Sequence, residues 1–288
     1  MSQLVQVMRS LRTMPPLPGV AQRVLQIVRD PDYSIDTLVS VVRTDPALTT
    51  RILKLCNSSL YGLSQEIASV GDAVAYLGTR NLVKLVLISC TSSYFKRIGV
   101  NGYVDPAELW KHTLCCASVC QFLAERSGYE QPATAFTTGI LHNVGKVALA
   151  QVVEDVIVDV PALLAGEPGL GYLEIERKVV GLDHANAGGI VTESWSLPTE
   201  LRRAVRNHHD PALIRGDGDL TALLHVADQL VLGMGIGAPF AGLTWTIDPT
   251  ALDKLHLTEA DLEGARTHVT EELVRSAELL NLDALDGR

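Results

Sequence analysis

Six of the eight histidines fall between residues 112 and 225, several beside groups that hold metals or phosphates. In GILHNVGK, residues 139–146, His142 and Lys146 are four positions apart and share a helix face, and Asn143 adjoins the histidine. His112 stands in LWKHTLCCA, His184 in GLDHANAGG, the pair His208 and His209 directly before Asp210, and His225 and Asp228 in LLHVADQL. Neutral imidazole nitrogens suit transition metals, and a carboxylate such as Asp228 offsets the ion's charge. An ion so held polarises a phosphate oxygen or activates water. Each residue also has a plain structural role open to it. His112 can be a satisfied core histidine, His184, His208 and His209 can cap or bridge helices, and Lys146 can lie solvated beside a cleft or contact a phosphate. His225, one turn before Asp228, can orient that carboxylate or serve the fold alone.

These residues need rigid elements, and the apolar spacing supplies helices. Val20, Val24, Ile27 and Val28 form one stripe, and Leu38, Val41 and Val42 another after a Ser34 cap. Asp45-Pro46 starts a helix carrying Leu48, Ile52 and Leu55, because proline fits the first turn without losing a hydrogen bond. Ser69 with Asp72, Asp105 with Glu108, and Thr258 with Asp261 have capping-box spacing, and Gly78 is placed to end a helix before Thr79 caps the next. Further helices are expected around 133–152, 172–180, 184–195, 198–209 and 219–232. His112 lies on the stripe Leu109, Cys116, Val119 and Leu123, so a polar group faces inward. No alternating strand pattern is present. GMGIGAPFAG, residues 233–242, follows no strand and lacks a Lys-Ser/Thr, so it reads as a linker and not a phosphate loop.

The 47% apolar and 20% charged make-up is that of a globular chain. No apolar run nears the roughly 18 residues of a membrane span, and the N-terminus has no secretory core, so a cytoplasmic protein is expected. Five cysteines without a C-x-x-C pair fit reduced, buried thiols and argue against a zinc-thiolate site. Net charge is −9, with 11 Lys/Arg against 6 Asp/Glu in residues 1–104 and 13 against 27 in residues 105–288. The overall acidity disfavours direct nucleic-acid binding.

The segments MPPLPGVAQRVLQIV, VVRTDPALTTRILKLCNSSLYG and AVAYLGTRNLVKLVL, followed by GILHNVGKVAL, GLDHANAGGIVTESWSLPTELRRAVRNHHDP and LLHVADQL, resemble the HDOD family in residue type and order. That family is a degenerate branch of the HD metal-dependent phosphohydrolases. The resemblance implies an all-α, two-lobed helical bundle. Its expected parts are an N-terminal lobe at 1–104, an HD-like lobe at 105–235, and a linker with an amphipathic helix at 236–288, with the HDOD core at about 15–212. In the HD pattern a histidine, a His-Asp doublet and a distant aspartate hold divalent metals. Here His112 matches the first histidine, His142 the doublet histidine and Asp228 the distant aspartate, while His184, His208 and His209 resemble additional ligands. Asn143 departs from the pattern, because a neutral amide stands where the aspartate would be and compromises a dinuclear site. The GYP signature of cyclic-dinucleotide phosphodiesterases is absent after His209.

The resemblance therefore implies a bacterial signal-transduction module, such as a response-regulator output, that acts by binding and has no catalytic residue. Weak metal-dependent phosphohydrolase activity is the alternative. The implied ligands are a residual Mn, Fe, Ni or Zn ion and a nucleotide or phosphate near Lys146, and the implied partners are a signalling protein and a second copy of the chain. No receiver, kinase or cyclase segment adjoins the match, so the input is expected from a partner or a further domain.

Overall fold

The structure, a computed structural model, describes residues 3–28, 30, 32–58, 61, 65–95, 98, 103–153, 171–214, 218–237 and 245–285. All regular structure among them is helical. Residues 238–242 of the glycine-rich stretch lie outside the described residues. The chain divides into two compact units, one formed by residues 1–15 and 94–273 and the other by 16–93 and 274–288. The first helix, α1 (Gln3–Thr13), thus groups with residues far along the chain, unlike the consecutive segments read from the sequence.

The unit of residues 16–93 contains α2 (Gly19–Ile27), α3 (Ile35–Arg43), α4 (Pro46–Cys56), α5 (Val70–Leu77) and most of α6 (Thr79–Phe95). Its core takes Val24, Leu38, Val42, Ile52, Val70 and Leu82, one face from each helix. Asp45 caps α4 through the Leu48 N–H, and Ser69 caps α5 through the Asp72 N–H. Ser34 lies before α3 in extended backbone, but its side chain makes no capping bond, contrary to the sequence expectation. Between α4 and α5, the Asn57 amide pairs with both backbone groups of Ile67, at 2.7 and 2.9 Å, and so imitates a strand partner.

The larger unit is built around α7 (Pro106–Ser127), whose N-cap Asp105 accepts from the N–H groups of Ala107 and Glu108. Glu108 pairs with Lys111, so the reciprocal half of the expected capping box is replaced by an ion pair. From His112 through Gln121 every residue of α7 is buried, because helices pack on all its sides. α8 (Pro132–Leu141) and α13 (Asp219–Gly233) flank it, and Cys116, Val119, Leu123, Leu223, Ala227 and Val231 join in one core cluster. α9 (Val144–Val153), α10 (Tyr172–Val180), α11 (His184–Ser194), α12 (Thr199–Asn207) and α14 (Pro249–Leu255) complete the scaffold with α15 (Glu259–Leu285). Thr258 and Asp261 form a full capping box at the start of α15, and Leu262, Ala265 and Val269 enter the core. His268 stacks on Phe122 and meets the Ser118 hydroxyl at 2.8 Å, which fastens this part of α15 along α7.

The helix expected at 133–152 is broken into α8 and α9 at His142 and Asn143. Just after the break the backbones of α9 and α11 approach closely. A Cβ on Gly145 would lie 1.9 Å from the His184 carbonyl oxygen, so only glycine lets α9 meet α11 there.

Candidate functional site

Six helices deliver the polar groups to the interior of the larger unit. α7 brings His112 and Cys116, the α8–α9 break brings His142, Asn143 and Lys146, α11 brings His184 at its first turn, the end of α12 brings His208 and His209, and α13 brings Asp228. His112, His142, Asn143, His184 and His208 are each 0% exposed and Asp228 is 2% exposed, whereas His209 alone reaches the edge of a cleft. Ligand atoms of His112, Cys116, His142 and Asp228 lie within 4.8 Å of one another, and so do those of His184, His208 and His209. The histidine rings run on continuously between the two groups, with His142 and His208 centred 5.5 Å apart.

The backbone fixes how the rings point. Nδ1 of His112 donates to the Ile236 carbonyl (3.0 Å), Nδ1 of His142 to Gly139 (2.6 Å), and Nδ1 of His208 to Val205 (2.7 Å). Nδ1 of His184 faces Glu176 Oε2 at 2.8 Å, and the His184 backbone N–H donates to the same oxygen. A nitrogen facing a carbonyl must carry the proton, so the Nε2 lone pairs are left to serve the cluster. This is how ligating histidines are oriented in metal sites. Nε2 of His112 meets Asp228 Oδ1 at 3.1 Å and Cys116 Sγ at 3.3 Å, while Nε2 of His142 lies 3.5 Å from Asp228 Oδ1. His209 Nε2 sits 3.0 Å from His184 Nε2, and its Nδ1 is 3.7 Å from Asp228 Oδ2.

Burial dominates the electrostatics. It drives His184 and His208 well below the ordinary histidine range, helped by the charges of Lys146 and His209 respectively, and lowers His209 to about 3. Burial also lowers His112 against the opposing pull of Asp228. Desolvation works to raise Asp228, yet its close contacts with the His112 and His142 rings hold it well below the carboxylate range. His112, His184, His208 and His209 are thereby biased to the neutral imidazole and Asp228 to the anion, the protonation states that bind cations. Burial pushes Glu176 up to about 7, with Lys146 and the Tyr103 hydroxyl opposing. Lys146 is lowered by burial, and its ammonium stands 4.8 Å from the centre of the Tyr172 ring.

Two buried atoms in the cluster have no hydrogen-bond partner, His208 Nε2 and Asn143 Oδ1. An unpaired buried polar atom costs about 1–3 kcal/mol, and a cation satisfies lone pairs of this kind. The donor set therefore fits a divalent ion, with His112, His142 and Asp228 as candidate ligands and His184, His208 and His209 beside them. Asn143 is poorly matched to a second ion, since its NH2 group donates to His142 Nε2 at 2.8 Å and it carries no charge.

His225 does not orient Asp228. Its Nδ1 donates to the His208 carbonyl and its Nε2 accepts from the Asp248 N–H, so it anchors the backbone behind the cluster. Sequence reasoning passed over Glu176 and the Ile236–Gly237 turn. Glu176 stands on the buried face of α10 with Tyr172 and Val180, and a carboxylate at helical spacing in an apolar stripe is the same signal that singled out His112. The outer cleft, about 620 Å³, is lined by Tyr172, Arg177, Asp183, Asn186, Arg206 and His209 among others, and Arg177 is paired with Asp183 at 2.7 Å.

The family model of the HDOD domain matches residues 14–211. An HDOD domain protein of unknown function from Geobacter sulfurreducens is 23% identical, with TM-score 0.72 over 98% of this chain and 95% of that one. A candidate signal-transduction protein from Marinobacter aquaeolei VT8 is 25% identical, with TM-score 0.77 over 96% of this chain and 64% of that one. A candidate phosphohydrolase from Shewanella amazonensis SB2B is 26% identical, with TM-score 0.65 over 94% of this chain and 98% of that one. The matched regions span 37% and 30% of the lengths of the curated relatives found. No helix among the described residues is long and apolar enough to cross a membrane.

Proposed function

Since this chain belongs to the HDOD family, we propose that it is a non-catalytic signalling module of the bacterial cytoplasm whose buried histidine cluster holds one divalent ion. The carrying observation is Asn143. Its neutral side chain stands where the family pattern has the carboxylate on which two-metal chemistry depends, and its NH2 offers no lone pair to a second ion. The burial of the cluster supports the same reading, because a substrate has only the side of His209 by which to approach. An ion held by His112, His142 and Asp228 would supply Lewis-acid polarisation of a phosphate oxygen or water. This chain's own groups orient the rings, exclude water, and leave Asp228 as the negative charge nearest His112 and His142. Binding of a protein partner, or of a phosphate-bearing ligand at the cleft, is the output in this reading.

The Nε2 lone pairs of four oriented histidines favour a second reading, a weak metal-dependent phosphohydrolase; the Shewanella protein is named a candidate phosphohydrolase. The two separate in a hydrolysis assay with a generic phosphodiester and nucleotides, on protein loaded with manganese or ferrous iron. The proposal expects no turnover above that of His142→Ala. Turnover abolished by His142→Ala would establish the enzyme.

A further inference from the structure

Resting on that ion-holding reading, we propose that Cys116 is the fourth ligand of the ion, and that its thiolate supplies the negative charge that Asn143 no longer provides. The site is then a closed set of two histidines, one cysteine and one aspartate, selective for zinc-like, thiophilic metals.

Cys116 lies one helical turn after His112 on α7, so both side chains leave the same face. Its Sγ is 3.3 Å from His112 Nε2 and 3.9 Å from the Ala227 carbonyl, and it is fully buried. Around a tetrahedral zinc, bond lengths of about 2.0–2.1 Å to nitrogen or oxygen and about 2.3 Å to sulfur place ligand atoms roughly 3.3–3.6 Å apart. The separations already present are 3.1 Å from His112 Nε2 to Asp228 Oδ1, 3.5 Å from His142 Nε2 to the same oxygen, and 3.3 Å from His112 Nε2 to sulfur. Three of the six edges of one coordination tetrahedron are thus close to their required lengths, and all four ligand atoms, from α7, the α8–α9 break and α13, lie within 4.8 Å of one another.

Charge points the same way. Two histidines and one carboxylate leave a divalent ion with an excess of one charge in a site sealed from water, which is unfavourable. Coordination by Cys116, with its thiol proton released to solvent, brings the set to neutrality. The remedy does not use the Asn143 position at all. A soft thiolate also changes selectivity, because manganese and magnesium prefer oxygen ligands whereas zinc, cobalt and cadmium accept sulfur. With four protein ligands no open position remains, as in structural rather than catalytic zinc sites.

The test titrates the full-length, metal-free protein with cobalt(II) and follows its absorption, beside Cys116→Ser and the control Cys120→Ser, whose sulfur lies outside the cluster. The proposal expects one cobalt per chain with a near-ultraviolet thiolate charge-transfer band and intense tetrahedral visible bands. That band persists in Cys120→Ser and is absent in Cys116→Ser, whose zinc affinity falls by more than the roughly 10–100-fold lost when a residue that only orients a ligand is changed. Far-ultraviolet circular dichroism checks that Cys116→Ser is folded. Zinc-edge X-ray absorption of the wild type, which needs no variant, should count one sulfur at about 2.3 Å. Cobalt bound without the band, or a band retained in Cys116→Ser, overturns the thiolate ligand while leaving the ion-holding module intact. Failure to take up cobalt or zinc overturns both. Phosphodiester turnover by the loaded protein overturns only the non-catalytic reading.

Discussion

Acidification of the metal-free protein from pH 7 to pH 5 should destabilise the larger unit, a direction set by four buried groups. His209 has a folded value of about 3 against about 6.5 for an unfolded histidine. Its unfolded form therefore binds the proton that the folded form refuses. The associated stability is complete above pH 6.5 and is lost as pH falls through that value, by about 2 kcal/mol at pH 5. Glu176 has the opposite sign. With a folded value of about 7 it takes up a proton on folding in this window, and it restores about 2 kcal/mol between pH 7 and 5. These two cancel, leaving His184 and His208, both driven well below the ordinary histidine range by burial, to set the sign of the slope. The assay is urea unfolding with chelator present, read by tryptophan fluorescence. Trp110, Trp195 and Trp245 all belong to the larger unit, so the signal reports on it alone. The urea midpoint should be lower at pH 5 than at pH 7, with the slope m unchanged. A midpoint that holds or rises would refute the claim that these imidazoles are buried neutral.

Asn143→Asp should strengthen divalent-ion binding and shift preference toward manganese, read by competition dialysis. A unit charge about 4 Å from a divalent ion interacts with it by about 8 kcal/mol at an effective dielectric near 20, which bounds the gain at roughly six decades before the cost of desolvating the carboxylate is subtracted. Gly237→Ala should destabilise the larger unit by about 1–3 kcal/mol in the same unfolding assay, since Gly237 has φ +67 and a Cβ there would lie 2.4 Å from that of His112. An unchanged midpoint would show that this turn does not buttress His112.

The helices were legible in the sequence because their determinants are local. Asp45-Pro46, the Ser69 cap and the Thr258–Asp261 box each act within one turn and operate as read. The all-α class and the HDOD resemblance followed from the same order of segments, and the family match over residues 14–211 agrees with it. The packing of α1 with residues beyond Tyr94 was not legible, since nothing local in Gln3–Thr13 specifies which distant surface its apolar side covers. The interruption at His142 and Asn143 was hidden for a similar reason. Residues 133–152 have good helical spacing, and the spacing does not show that Gly145 meets the backbone of His184 just after the break. Within the site, histidine and carboxylate types could be read, but the partners that turn the rings could not. The Ile236, Gly139 and Val205 carbonyls are backbone groups that carry no residue signature. Cys116 was visible only as part of an apolar stripe, because the absence of C-x-x-C says nothing about a cysteine paired with a histidine one turn away.

The most direct test of the account is the number of ions per chain, counted by elemental analysis in protein purified without chelators or an affinity-metal step, then equilibrated with manganese, ferrous iron and zinc. A cluster with one carboxylate and Asn143 in the doublet should retain a single ion per chain, zinc in preference to manganese. Two ions per chain would contradict the claim that Asn143 has closed the second position, and with it the claim that this module binds without catalysing.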